Sequence, residues 1–407
     1  MTTRVLWCVL ATLFAIACGD DSASPSDAGD TDSGTDAGGT MLPPVNFAIS
    51  ARISGTPQTG LLSFVETLDA DTEVDPTIGL EVPGGGIAVP GPTPGTFFTT
   101  NGQAPVVTRW RISEDRVLRQ DGEISFAGSS VDASRASPAN LVFTSPTRGY
   151  VLDTLSRRMV LWNPEEMVID RTESLDQLDL PGWIPLVNRG VRRGNDLVIP
   201  VTYASFSGSI NELSRVLVID TEAEAISQVI DVDCEGVTYA RVLDDGTIYV
   251  ASDTASVTNR LAGLSAGEEC YVRFDPGSYD IAERVLFSER TGGVPSAAMF
   301  GGTGTVVFTR VLDESLVPDG TLTIGELNGT SMWRWGRFDL AGDEDAEVFT
   351  DLEPFSTSQI TFTIDDTAYV VAPGADFSGG RLFDVSGDRP VRAIQTAGII
   401  LNGFRLR

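Results

Sequence analysis

One kind of strand recurs along this chain: an apolar-rich run that in six of seven copies, all but 61–65, stops at Asp, Asn or Ser. It appears at 61–65, 107–113, 159–163, 216–220, 271–275, 335–339 and 381–384. Upstream of each lies a second β-rich run, usually opened by a Gly or Asp turn, at 46–50, 96–100, 149–153, 196–201, 247–251, 305–309 and 368–372. After most of them a turn and a further strand follow, as in VIDTEAEAISQVIDV and RFDPGSYDIAERVLF. Short strands punctuated by turn residues read as up-and-down antiparallel sets. A set of this size cannot bury its apolar faces alone, so such units must stack on one another.

The spacing, about 45 to 65 residues, matches the period of kelch-like or WD-like blades. The chain resembles a seven-bladed β-propeller, all-β, from about residue 45 to residue 407. No kelch or WD signature residues recur, so the resemblance is one of architecture and implies no particular function. A pair of β-sandwiches would account for the strands but not for their even spacing. Ring closure removes open sheet edges, and the last segment, GIILNGFRLR at 398–407, is expected as the innermost strand of the sheet that 46–50 begins. With strands lettered a to d from the axis outward, the d-to-a and b-to-c connections share one face. The longest b-to-c insertions, about 202–214, 252–269 and 310–332, fall there, and long loops on a rigid scaffold mark that face as the expected interaction surface.

The amino terminus gives an address. Arg4 precedes an apolar run at 5–17, too short for a hydrocarbon core that needs about 20 residues and built like an export signal. The tetrapeptide Ala15-Ile16-Ala17-Cys18 resembles the lipobox of bacterial lipoproteins, with Ala15 in place of the usual Leu. That resemblance implies cleavage before Cys18, acylation of Cys18 and a stable lipid anchor; Gly19, rather than Asp, after the cysteine implies the outer membrane. An ordinary signal cut after Ala17 would instead leave Cys18 as a free thiol. From Gly19 to about Pro44 the acids Asp20, Asp21, Asp27, Asp30, Asp32 and Asp36 face no base. Such a tract cannot bury enough apolar surface to order itself and reads as a solvated leash. Its spacing lacks the Gly and bidentate Glu of a helical calcium loop. The expected division is a signal at 1–17, the lipidated Cys18 and linker at 18–44, and a propeller at 45–407.

Two absences narrow the chemistry. The chain has no His, and all 28 of its Lys plus Arg residues are Arg. Without His there is no Ser-His-Asp triad, no His-ligated zinc or haem and no imidazole base. Without Lys there is no Schiff base and no phosphate-loop lysine. Carboxylate acid/base chemistry and oxygen-ligated metals survive. No cofactor and no metal are expected. The formal charge of −29 opposes nucleic acid and anionic lipid surfaces, so DNA and RNA are not expected partners.

Once Cys8 and Cys18 are accounted for, Cys234 and Cys270 remain; in an exported protein two thiols more often pair than stay free. Both map to the loop-rich face, one in the connection into the fifth blade and one at the end of that blade's b-to-c loop. Trp333 and Trp335 alternate, which suits packing between blades. Arg189, Arg192 and Arg193, near the fourth inner strand, and Arg241, near the fifth, could line the axial channel as an anion site, with Arg189 and Arg241 as its ligand-binding candidates. They could equally pair with carboxylates and the ends of neighbouring strands. The cluster Asp343, Glu344, Asp345 and Glu347 reads as a solvated hairpin tip.

Two functions follow. The first is a non-catalytic cell-envelope lipoprotein, held to the membrane by its lipid, whose loop face binds an envelope protein, a glycan or a small ligand. Tethered propellers of this kind resemble the lipoproteins associated with myxobacterial siderophore production, the MxcI type, which implies ferric siderophore handling. The alternative is a propeller glycan hydrolase or lyase. It needs two inward carboxylates about 5 to 10 Å apart, whereas Asp244, Asp245, Asp365 and Asp366 fall in turns.

Overall fold

The computed structural model describes residues 39–406 apart from 54–58, 71, 75–78, 130–139, 321, 358–359, 374–378 and 397. The leader, Cys18 and the acids of the linker lie outside the described residues. Within them the chain forms seven antiparallel sheets, each with an up-and-down core of four strands, in ring order along the sequence. The fold is the seven-bladed β-propeller that the strand spacing implied.

The strand-ending Asp and Asn residues have a local cause. Asn163 Oδ1 accepts from the Glu165 and Glu166 backbone N–H groups, and Asp220 Oδ1 accepts from those of Glu222 and Ala223. Asp339 and Asp384 accept the same way from Ala341 and Ser386. Each side chain mimics a backbone turn and so stops strand c and starts the c-to-d hairpin. The recurring sequence signature is therefore a recurring turn.

The ring closes where the last segment predicted. Strand Ile399–Arg405 is the innermost strand of the first blade and pairs with Phe47–Ile53, with Phe47 opposite Arg405 and Ser50 opposite Asn402. Thr59–Val65 and Gly79–Val82 complete that blade outward. The Asn402 side chain also donates to the Ala88 carbonyl of blade 2 at 3.1 Å. The carboxyl-terminal strand is thus sewn to the blades on both its flanks.

Two strand additions were not foreseen. Thr40–Met41 pairs with the outer strand Val117–Ser125 of blade 2, and Leu42 is buried, so the folded unit begins before residue 45. Thr72–Glu73, from the c-to-d connection of blade 1, pairs in parallel with Val391–Thr396 of blade 7. Blade 1 therefore grips blade 7 at the rim as well as closing the ring.

The core lies between blades. Phe98, Phe126, Phe143 and Trp162 form an aromatic cluster between blades 2 and 3, with Phe98 and Phe126 edge-on to Trp162 at 5.6 Å. Trp333 and Trp335 are fully buried, and Trp335 lies 5.4 Å from the Phe383 ring of blade 7. No helix among the described residues is long and apolar enough to cross a membrane.

Candidate functional site

The axial channel is framed by Ile399–Arg405, Ala88–Pro90, Leu141–Ser145, Ile184–Val187 with Val191–Arg193, Val237–Val242, Ser296–Phe300 and Thr361–Ile364. None of these segments contains Asp or Glu. In blade 4 the inner strand is interrupted between Val187 and Val191, and this break sends Arg189 across the ring. Its Nη1 donates to the Thr361 carbonyl of blade 7 at 2.7 Å. Enclosure by the inner strands lowers the Arg189 pKa to about 10.

The other channel arginines tie blades together. Arg241 donates to the Gly301, Val306 and Gly304 carbonyls, the last at 2.7 Å, at the a-to-b turn of blade 6. Arg192 reaches the Thr144 carbonyl of blade 3 at 3.1 Å. Arg193 donates to the Ser278 carbonyl at 2.7 Å and stacks over the Tyr279 ring at 4.0 Å. Arg189 and Arg241 are not brought together. Each guanidinium donates to backbone carbonyls, that of Arg189 in blade 7 and those of Arg241 in blade 6.

The loop-rich face is more elaborate. Cys234 and Cys270 form a disulfide with Cα atoms 5.8 Å apart, joining the connection into blade 5 to the start of strand Cys270–Phe274. The flanking residues, Glu235 and Glu269, are both buried. Arg260 pairs with Glu269 at 2.8 Å, and Ser265 donates to Glu235 at 2.5 Å. Burial nevertheless dominates and pushes the Glu269 carboxyl up from its ordinary 4.5 to about 7. Glu235 is raised as well, first by burial. Gly267 packs directly against this carboxylate: a Cβ there would come within 1.9 Å of Glu235 Oε2 and force that side chain to move.

Two short helices roof this region, where the sequence suggested only loops. Helix Thr254–Leu261 in the blade 5 insertion is capped by Asp253, whose side chain accepts from the Ala255 N–H. Helix Ile324–Gly329 in the blade 6 insertion carries a full capping box, Thr323 with Glu326, and the two helices touch. Phe206, Leu261 and Leu264 stand exposed on the same face. The acid cluster at 343–345 and 347 is solvent-exposed at a hairpin tip, as expected. Among the described residues no three Asp, Glu or Cys side chains are grouped to hold a metal ion.

No protein-family model and no curated protein matches the sequence. Solved structures match the fold. A protein from Lactobacillus plantarum aligns with a TM-score of 0.53 at 10% identity, over 89% of this chain and 99% of its own. A candidate 6-phosphogluconolactonase from Bacteroides fragilis aligns with a TM-score of 0.51 at 10% identity, over 90% and 99%. At that identity the likeness establishes the propeller alone.

Proposed function

We propose that this chain is a cell-envelope lipoprotein, acylated at Cys18 and placed at the outer membrane, whose propeller binds a partner and performs no chemistry. The partner, an envelope protein, a glycan or a small ligand, meets the face formed by the d-to-a and b-to-c connections of blades 4 to 6. One observation carries the non-catalytic part: no inner-strand segment holds an acid, and Arg189 spans the channel, so the paired inward carboxylates that glycan cleavage needs are not provided there. The face itself is supported by its rigid mounting, with a disulfide, two capped helices and exposed Phe206, Leu261 and Leu264.

Ferric siderophore handling is the specific ligand class carried over from the lipoprotein resemblance. Titrating the propeller with a ferric catecholate while following tryptophan fluorescence tests it. Saturable quenching that Leu261→Asp on the face weakens supports the reading; no quenching at millimolar ligand removes that class. For the anchor, metabolic labelling with palmitate should mark the native chain and not Cys18→Ser. Equal labelling, or none in either, rejects the lipid.

A further inference from the structure

Eight large apolar side chains are exposed among the described residues. Five of them stand singly on outer strands of five different blades, and scattered residues of that kind are normal on any surface. The other three, Phe206, Leu261 and Leu264, belong to the loop-rich face. Ile210, at the base of the Phe206 turn, and Ser256, in the helix that ends at Leu261, both border Gly236. The turn and the helix therefore adjoin, and their apolar tips make one patch.

Each tip is held by its own local bonds. The Ser205 and Ser207 hydroxyls bond to each other at 2.8 Å across Phe206, and Ser205 Oγ accepts from the Ser209 N–H at 3.0 Å. Beyond the helix the Gly263 and Leu264 N–H groups donate to the Arg260 and Asn259 carbonyls at 2.9 Å, with Gly263 making the turn at φ 70°. Preformed mounts of this kind spare a partner the entropy of ordering the loops. An apolar patch kept in water on such mounts has the anatomy of an interface centre.

The charge around the patch is one-sided. Segments 205–212, 253–269 and 313–332 hold eight acids and one base, Arg260, and Arg260 is committed to the buried Glu269 at 2.8 Å. Glu212, Glu268 and Glu314, one from each segment, are exposed and form no ion pair among the described residues. The helices Thr254–Leu261 and Ile324–Gly329 touch, so the third segment flanks the patch as well.

The sign of that rim selects the occupant. The acidic linker and a second copy of this chain both bring like charge, which a rim of acids opposes. No Trp or Tyr among the described residues is exposed to stack on a sugar ring. We propose that this face binds a basic protein segment, whose apolar side chains cover Phe206, Leu261 and Leu264 while flanking Arg or Lys residues meet Glu212, Glu268 and Glu314. The proposal rests on the reading of this face as the binding surface and narrows its partner to a cationic polypeptide.

Two labelled amphipathic peptides test it by fluorescence anisotropy against the whole propeller, one with Leu on one helical face and Arg on the other, the second with Gln in place of Arg. The Leu/Arg peptide should bind saturably, and Phe206→Ser or Leu264→Ser should weaken it about tenfold through the lost apolar contact. Glu212→Gln, Glu268→Gln and Glu314→Gln together should weaken it about tenfold as well and flatten its salt dependence. Glu344→Gln with Asp345→Asn, at a hairpin tip on the opposite face, should leave it unchanged. No saturable binding of the Leu/Arg peptide, or equal losses from the acids of the two faces, overturns the proposal. If the Leu/Gln peptide binds as tightly and Phe206→Ser weakens both, the face stands and its preference for a basic partner is overturned. If Phe206→Ser and Leu264→Ser weaken neither peptide, the face itself is overturned as the binding surface.

Discussion

Glu269 offers the sharpest stability test, because its carboxyl is buried beside the Cys234–Cys270 disulfide and only partly compensated by Arg260. Its pKa in the fold is about 7 against an ordinary 4.5. The folded state therefore holds a proton there that the unfolded chain has lost, and stability falls as pH rises from 4.5 through 7. Ionising the group inside the fold costs about 3 kcal/mol over that window. Glu269→Gln keeps the shape and an acceptor for Arg260 while removing the titration. Urea unfolding of both proteins at pH 5 and pH 8 should show similar stabilities at pH 5 and a Gln variant more stable by up to about 3 kcal/mol at pH 8. The repulsion among the many other acids is common to both proteins, so the difference isolates this site. Equal stabilities at both pH values would refute the buried, under-compensated carboxylate.

Other perturbations follow from the same geometry. Cys234→Ala with Cys270→Ala opens a loop whose ends are 36 residues apart. It should cost about 4 kcal/mol by chain entropy, read by denaturant titration; a loss under about 1 kcal/mol would contradict that. Arg189→Met removes the cost of holding a cation away from water but leaves the Thr361 carbonyl without its donor, a loss of about 1 to 3 kcal/mol, so the two should nearly cancel. A marked loss of stability in the same assay would instead make the cross-channel bond a strut. Deleting residues 399–407 removes an entire inner strand. It should consume a margin that for whole domains is about 5 to 15 kcal/mol, giving aggregation or a lost cooperative transition by light scattering and circular dichroism. A soluble monomer with an unchanged Tm would reject that mode of closure.

What the sequence disclosed was local. Strands b and c were readable because most c strands end in a side chain that makes its own turn, as Asn163 and Asp220 do. The closing strand 399–405 was readable because one apolar run was left over beyond the seventh blade. The helix Ile324–Gly329 carries a sequence signal in Thr323 followed three residues later by Glu326, a capping-box spacing, but a single short turn has too little periodicity to stand out. The parallel pairing of Thr72–Glu73 with Val391–Thr396 and the reach of Arg189 to Thr361 join residues at least 172 positions apart. Nothing near either partner announces the other. The same holds for Arg310, which reads as one more cation on a strand until Phe300 and Phe355 are seen to enclose it.

The central claim is a tethered ring that presents one binding face. Capture of partners from detergent-solubilised envelopes by the full lipidated chain, followed by carboxyl-directed cross-linking, tests it most directly, since the chain has no lysine for amine-reactive reagents. The account expects one saturable partner with cross-links concentrated on residues 205–212, 253–269 and 313–332. Cross-links confined to the opposite face, or release of a cleaved product from a captured glycan, would contradict it.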